Sequence, residues 1–349
     1  MPAPKNRTSD AIKRYQHITN NLRMITYVSL ILGILAIIIS AAALALAYTA
    51  SHNAKYVTSA VTIAQQANTS TFGHRLAGID QPLNATQLSV INNAPNSYFQ
   101  QAALMYINGT IANPIYTASN KVTKFTVNNK TTVTYLGSIT CIFCAENRWA
   151  MALALSRFGT FSNLYKGYSS LGDDDIPTLY WTQVNYSVSG DNIGNGYSSP
   201  YVSFILIEDT NPITGGFMLN TPAVMASNLA KIGNSTYISA FQRILNLSNN
   251  KTTAFQGTPY TIWGNYQFGG ADAVVFGNTT PTTSPQIESQ THAQILSQLS
   301  NPTDQFALSE YAAADVYVAA ICSSLSNSTR STVSACSLPG LVQLQRQFK

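Results

Sequence analysis

Two cysteines three residues apart close a strand-like run and open a helix-like one in TVTYLGSITCIFCAENRWAMALALSRFG, residues 132–159. Ahead of Cys141, β-branched and aromatic residues run up to Gly137-Ser138, the pattern of a strand. After it, Trp149, Leu153 and Leu155 recur among small residues as far as Phe158, and Gly159 supplies a helix stop. Positions i and i+3 of a helix share a face, so Cys141 and Cys144 can close a disulfide. Cys141 is expected at the helix N-terminus, where unpaired backbone N–H groups favour a thiolate. Cys144, one turn deeper, is expected to be shielded. In such a pair one sulfur attacks and the other resolves the mixed disulfide. Two other readings stay open: half of a metal site, or an inert staple suited to an oxidising exterior. A structural zinc site needs four ligands. Neither Cys322 and Cys336 nor the scattered His17, His52, His74 and His292 supply them at a matching spacing. The redox reading calls for no metal and no cofactor.

A second feature bears on the same choice. QGTPYTIWG, residues 256–264, sets Thr258-Pro259 directly before another strand-like run. X-Pro bonds are the common source of cis peptides. A cis Pro259 facing the cysteines would hold the preceding backbone extended, so that Thr258 and Pro259 dock a substrate segment as an added strand. An ordinary trans turn proline is the alternative.

Location follows from charge and hydropathy. Residues 24–48, MITYVSLILGILAIIISAAALALAY, carry no charge. As a helix they span about 37 Å, more than the ~30 Å hydrocarbon core of a bilayer. Signal peptides have shorter apolar regions, so a retained anchor is expected, with cleavage after Ala47 or Ala50 as the alternative. Lys5, Arg7, Lys13, Arg14 and Arg23 precede the run with a single acid, Asp10. The positive-inside rule therefore puts residues 1–23 in the cytoplasm, makes 24–48 a single-pass anchor in the cell membrane, and leaves the main domain extracellular. Taking that tail away leaves 14 of the 19 basic residues and 13 of the 14 acids, which nearly cancel. No basic face for nucleic acid is expected. Charged residues make up only 9% of the chain, against about 25% in typical soluble domains. Neutral hydrogen-bonding residues take their place, a composition suited to an acidic exterior. Sequons at Asn68, Asn84, Asn108, Asn129, Asn185, Asn234, Asn246, Asn250, Asn278 and Asn327 suggest glycosylation, although a chain rich in Asn, Ser and Thr makes many by chance.

KVTKFTVNNKTTVTYLGS alternates like strands around a turn at Asn128-Asn129, and TLYWTQV and YVSFILIED read as further strands. TPAVMASNLAKIG and STYISAFQRILNL read as helices. YTIWGNYQF has a hairpin turn at Gly264-Asn265, and residues 287–326 form two helices split near Asn301-Pro302. Strands interleaved with helices indicate an α/β architecture. Cys322 and Cys336 flank a loop after a helical run. A structural disulfide there would add about 3 kcal/mol, and two thiols are the alternative. Arg148 could pair with Glu146 or with an acid elsewhere, a surface pair being the default expectation.

Strand, CxxC, helix and a later Gly-Thr-Pro together resemble the thioredoxin superfamily, especially its extracytoplasmic disulfide oxidoreductases and isomerases. More closely, CIFCAENRWAMALALSRFGTFSNL is similar to the archaeal domain of unknown function 929 family. The residues carrying that resemblance are Cys141, Cys144, Arg148, Trp149, Ser156, Phe158, Gly159, Pro259, Cys322 and Cys336. It implies a thioredoxin-like α/β fold over residues 121–349, with a helical insertion at about 163–256 before the cis-Pro strand. Residues 49–120 are then a membrane-proximal stalk and N-terminal extension. One departure stands out: Ile142 follows the first cysteine where the family pattern has proline. Thr140 before it is uncharged, where a charge would help set the cysteine's acidity.

Two functions are expected from this. The first is a membrane-anchored extracellular thiol–disulfide oxidoreductase acting on cysteines of exported proteins. The second is a glycosylated cell-surface structural or interaction protein on a redox-inactive scaffold, bound to other surface proteins.

Overall fold

The computed structural model describes residues 81–111, 120–139, 141–169, 176–183, 191–193, 196–209, 226–227, 229–230, 233–247, 260–268, 287 and 290–348. All of them lie in one compact unit, Thr69–Lys349. The expected anchor at 24–48 falls outside the described residues, as do Thr258 and Pro259.

In chain order the helices and strands begin with α1 (Ala85–Asn92) and α2 (Asn96–Ile107), followed by β1 (Asn120–Lys121), β2 (Thr126–Val127) and β3 (Lys130–Ser138). Helix α3 (Ile142–Leu155) precedes a run of short strands, β4 (Thr160–Phe161), β5 (Tyr165–Tyr168), β6 (Pro177–Tyr180), β7 (Asp191–Ile193) and β8 (Tyr197–Ser198). Then come β9 (Val202–Asp209), α4 (Ser235–Leu247), β10 (Tyr260–Trp263) and β11 (Tyr266–Phe268). The chain closes with α5 (His292–Leu299), α6 (Gln305–Ser324), α7 (Asn327–Arg330) and α8 (Pro339–Gln345).

Strand β3 organises the sheet. Its sequence KTTVTYLGS is rich in β-branched and aromatic residues, and every residue after Lys130 is buried. A strand buried on both faces belongs at the centre of a sheet. The main sheet runs β1-β11-β10-β3-β9-β7, with β2 also on β3. β9 lies parallel to β3, from Thr131 opposite Val202 to Ser138 opposite Asp209. β10 lies antiparallel on the other side, with Tyr260 opposite Leu136 and Trp263 opposite Val133. Two tight turns fix the register. Asn128 and Asn129 both have positive φ (50° and 61°) between β2 and β3, the conformation a two-residue hairpin demands and asparagine tolerates. Gly264, φ +64°, turns β10 into β11.

Alternation along the strands builds a core on each face. Val133, Tyr135, Phe204, Leu206 and Trp263 face α3 and α6. Leu136, Ile205, Ile207, Tyr260 and Ile262 face Ala240, Phe241 and Ile244 of α4. Helix α6, QFALSEYAAADVYVAAICSS, is apolar around most of its circumference, which suits a helix enclosed on all sides. It packs against α3, α2 and α8. Among the described residues it alone has the length and mean hydropathy of a membrane span, and 94% of its apolar window is buried inside the domain. Tyr317 of α6 stacks on Trp263 with ring centroids 4.1 Å apart.

Residues 84–107, in the segment read from sequence as the membrane-proximal extension, join this core. Phe99, Ala102 and Ala103 of α2 are buried, and Phe99 meets Tyr311 edge-on at 4.9 Å. The stretch 163–256, expected as a helical insertion, contains the central strand β9 and the hairpin β5–β6 as well as α4. Gly167 leaves room for an aromatic ring across that hairpin: a Cβ on it would lie 2.2 Å from the Tyr180 ring.

Candidate functional site

β3 delivers the chain to the start of α3, and Cys141 is the helix N-cap, with φ −75° and ψ 129°. Cys141 is half-buried, Cys144 is fully buried, and the two stand as thiols. The Ser138 N–H donates to Cys144 Sγ at 3.5 Å. Tyr135 reaches the same sulfur along the strand, because residues two apart share a face and Gly137 has no side chain to keep the tyrosine ring from lying over it. The Tyr135 hydroxyl lies 3.4 Å from Glu208 Oε1 as well, so its one hydrogen is shared between the carboxylate and the sulfur.

Arg148 lies one turn beyond Cys144 on the sheet-facing side of α3. It is completely buried. Its Nη2 donates to the Ser138 carbonyl at 2.7 Å and to the Glu208 carboxylate, which β9 brings opposite Gly137. This corrects the expectation of a surface pair: the pair is buried, and its acid is one elsewhere in the chain. At i+4 from a buried cysteine, Arg148 shares the cysteine's inward face. The Tyr180 ring lies over the guanidinium at 5.8 Å. Burial acts against the charge on Arg148, but Glu208, Tyr135 and Cys144 outweigh it and hold the guanidinium protonated.

These contacts set the chemistry of the inner sulfur. Burial pushes the Cys144 thiol up. The Cys141 thiol hydrogen, the Arg148 charge, the Tyr135 hydroxyl and the Ser138 N–H together bring it down to about 7 from 9.0. Burial raises the Tyr135 hydroxyl well above its ordinary value, so it remains a hydrogen-bond donor.

Hairpin β5–β6 braces the same helix. Thr178 Oγ1 donates to the Ala145 carbonyl at 2.7 Å, and Trp149 Nε1 donates to the Pro177 carbonyl at 3.1 Å. Buried His292 ties the hairpin to α5, its Nε2 lying 2.9 Å from Gly167 O and 2.8 Å from Thr178 O. Burial lowers the His292 pKa to about 4 against the pull of those two carbonyls, with Lys166 adding to the lowering.

Of the other sequence-derived positions, Cys322 and Cys336 are joined as a disulfide, Cα–Cα 5.5 Å, at the C-terminal end of α6. Tyr260, next after Pro259, opens β10 opposite Leu136 on the strand that leads to Cys141. The sequon residues Asn84, Asn108, Asn129, Asn234, Asn246 and Asn327 are exposed. Several have local work: Asn84 completes a capping box, Asn129 is a turn residue, and Asn234 accepts from the Thr236 and Tyr237 amides. Asn68, Asn185, Asn250 and Asn278 lie outside the described residues.

Arg148, Glu208 and Tyr135 were not singled out as partners of the cysteines from sequence. The signals are faint: an arginine at i+4 from Cys144, and an acid near the end of the apolar strand VSFILIED.

Residues 115–323 match the family model for a domain of unknown function, DUF929. The chain belongs to the DUF929 family. The DUF929 segment takes in Cys141, Cys144, Arg148, Glu208 and Cys322, and ends before Cys336. Comparison with curated proteins and with solved structures gives no match.

Proposed function

We propose that this DUF929 member is a membrane-anchored, externally facing thiol–disulfide oxidoreductase on a thioredoxin-like scaffold, acting on cysteines of exported proteins. The observation that carries the reading is the half-buried Cys141 at a helix start above the buried Cys144. Only the outer sulfur is reachable by a protein substrate. Cys141 forms the mixed disulfide, and Cys144 displaces the substrate sulfur from it.

The strand order β11-β10-β3-β9, with α3 and α6 on one face and α4 on the other, supports a thioredoxin-like assignment. The register of Tyr260 against Leu136 supports substrate docking by Thr258 and Pro259. The charge-free run at 24–48 and the basic residues before it support the anchor and its orientation.

Exchange between the reduced full-length protein and a disulfide-bonded peptide tests this. Cys141→Ser is expected to abolish exchange. Cys144→Ser is expected to accumulate a mixed disulfide through Cys141. Exchange that survives Cys141→Ser overturns the assignment.

Exposure of six sequons favours a second reading, a glycosylated surface protein with static disulfides. A Cys141–Cys144 reduction potential below about −300 mV would support it.

A further inference from the structure

We propose that the cleft at the C-terminal end of α6 binds a phosphoryl group, carried by a soluble phosphate ester or by the headgroup of an anionic lipid. The proposal stands apart from the exchange chemistry at Cys141 and Cys144.

From Val316 to Lys349 the chain carries Arg330, Arg346 and Lys349 and neither Asp nor Glu. Acids and bases nearly cancel over the body of the chain, so its unbalanced positive charge collects at this end. The Cys322–Cys336 disulfide pins the 3-10 turn Ser334–Ser337 to α6, and α7 lies between them. Gln345 Nε2 of α8 donates to the Cys336 carbonyl at 2.8 Å, and Ser323 Oγ donates to the Gln345 carbonyl at 3.4 Å. These ties frame a cleft of about 620 Å³, within the size range of small-molecule sites.

Arg330 and Arg346 both line the cleft, and no carboxylate does. Arg346 is exposed and has neither an ion pair nor a side-chain hydrogen bond among the described residues. Arg330 donates from Nη2 to Asn327 Oδ1 and has no acid beside it among the described residues. The lining hydroxyls are already committed: Ser331 Oγ donates to the Ser328 carbonyl and Ser337 Oγ to the Ser334 carbonyl, each at 2.8 Å. The main donors left for a ligand are therefore two guanidinium forks without a counter-charge. Such forks match phosphate and carboxylate oxygens bidentately. The sparsely charged composition suits an acidic exterior, and that decides between the two. A phosphate ester keeps a negative charge below about pH 4, where carboxylates lose theirs and arginine stays protonated.

The cleft is remote from the cysteines. Asn265, on its wall, donates from its N–H to Ser324 Oγ at 2.9 Å, and the Gly264 N–H donates to the Thr132 carbonyl at 2.9 Å. It therefore borders the start of β3, while Cys141 follows the other end, roughly 20 Å along the strand. Most of its lining, from Asn327 to Phe348, follows the DUF929 segment, which ends at residue 323.

The test is the rise in unfolding temperature on titrating the full-length protein, in neutral-detergent micelles at pH 7. The soluble probes are glycerol 3-phosphate, glycerate and glycerol. Phosphatidylglycerol or diacylglycerol, mixed into the micelles, supplies the lipid arm. Glycerol 3-phosphate or phosphatidylglycerol is expected to stabilise the protein, and glycerol and diacylglycerol to have no effect. Stabilisation by the soluble ester marks a soluble phosphate as the source; stabilisation by phosphatidylglycerol alone marks a lipid headgroup. Arg330→Gln and Arg346→Gln are each expected to weaken binding about tenfold or more, and Arg346→Lys, which keeps the charge but loses the fork, by less. Arg346 is exposed, so its variants keep the test open if Arg330→Gln does not fold. The proposal is overturned if neither phosphate probe stabilises the protein, if glycerate or glycerol binds as tightly as glycerol 3-phosphate, or if binding survives Arg346→Gln unchanged. Disulfide exchange through Cys141 is measured separately, and none of these outcomes bears on it.

Discussion

Gly137 illustrates how narrowly a single position is set. A Cβ there would come within 2.2 Å of the Tyr135 hydroxyl, the group that reaches both Cys144 and Glu208. Gly137→Ala is therefore expected to cost about 1–3 kcal/mol through overpacking and to displace the hydroxyl from Cys144. Urea unfolding and the thiolate absorbance would register the two effects separately. Glu208→Ala leaves the Arg148 charge buried and unbalanced, with an expected loss of about 3–5 kcal/mol. The cysteines and their spacing were legible in the chain. Arg148 was not: an arginine beside CxxC reads as a surface residue until a strand 60 residues away supplies an acid at its end.

At the scale of elements, local signals carried far. The Asn128-Asn129 turn, the Gly264-Asn265 hairpin and the break between α5 and α6 all fall where the residues place them. Asp304 caps α6 by accepting from the Phe306 and Ala307 amides. Asp304→Ala is expected to cost about 1 kcal/mol, a shift measurable in thermal unfolding. Trp263, stacked on Tyr317 between the sheet and α6, is expected to cost about 3–5 kcal/mol when cut to alanine. Hairpin β5–β6 was less legible as a brace for α3. Its contacts are a threonine hydroxyl and an indole N–H meeting backbone carbonyls, which leave no pattern in hydropathy.

For the molecule as a whole, charge is scarce outside and misplaced inside. Glu310 and Asp315 of α6 are fully buried, the first against the Ala150 backbone and the second against the Ala103 backbone. Burial raises both pKa values well above the carboxylate range. Glu146 adds to the rise at Glu310, while Arg157 lessens it at Asp315. The folded state thus holds protons that the unfolded chain releases. Stability from these groups is fully present below the unfolded carboxyl range and is lost as pH rises toward the folded values. His292 works the other way: its folded value of about 4 lies below 6.5, so its contribution is present above 6.5 and lost as pH falls toward 4. Above pH 6.5 His292 no longer contributes to the pH dependence, and the Cys144 ionisation near 7 is common to the two proteins compared. There Glu310→Gln is expected to gain on the native protein by up to tenfold per pH unit in the folding equilibrium, measured by denaturant unfolding at pH 6.5 to 8. An acidic working environment, suggested by the 9% charged composition, agrees with this core.

Periodicity, turn chemistry and the CxxC spacing are local quantities, and the amino-acid order alone determined the strand–cysteine–helix seam, the alternation of strands and helices, and the two tight turns. What lies beneath the seam was decided only by tertiary structure. Parallel pairing of β3 with β9 sets Glu208 opposite Gly137, and helix geometry swings Arg148 under Cys144. The same holds for α2, which reads only as part of a membrane-proximal extension until α6 and α8 offer its alanines a surface to bury against. The physical reason is common to both. A buried charge or a small apolar residue takes its meaning from what faces it, and what faces it here comes from far along the chain.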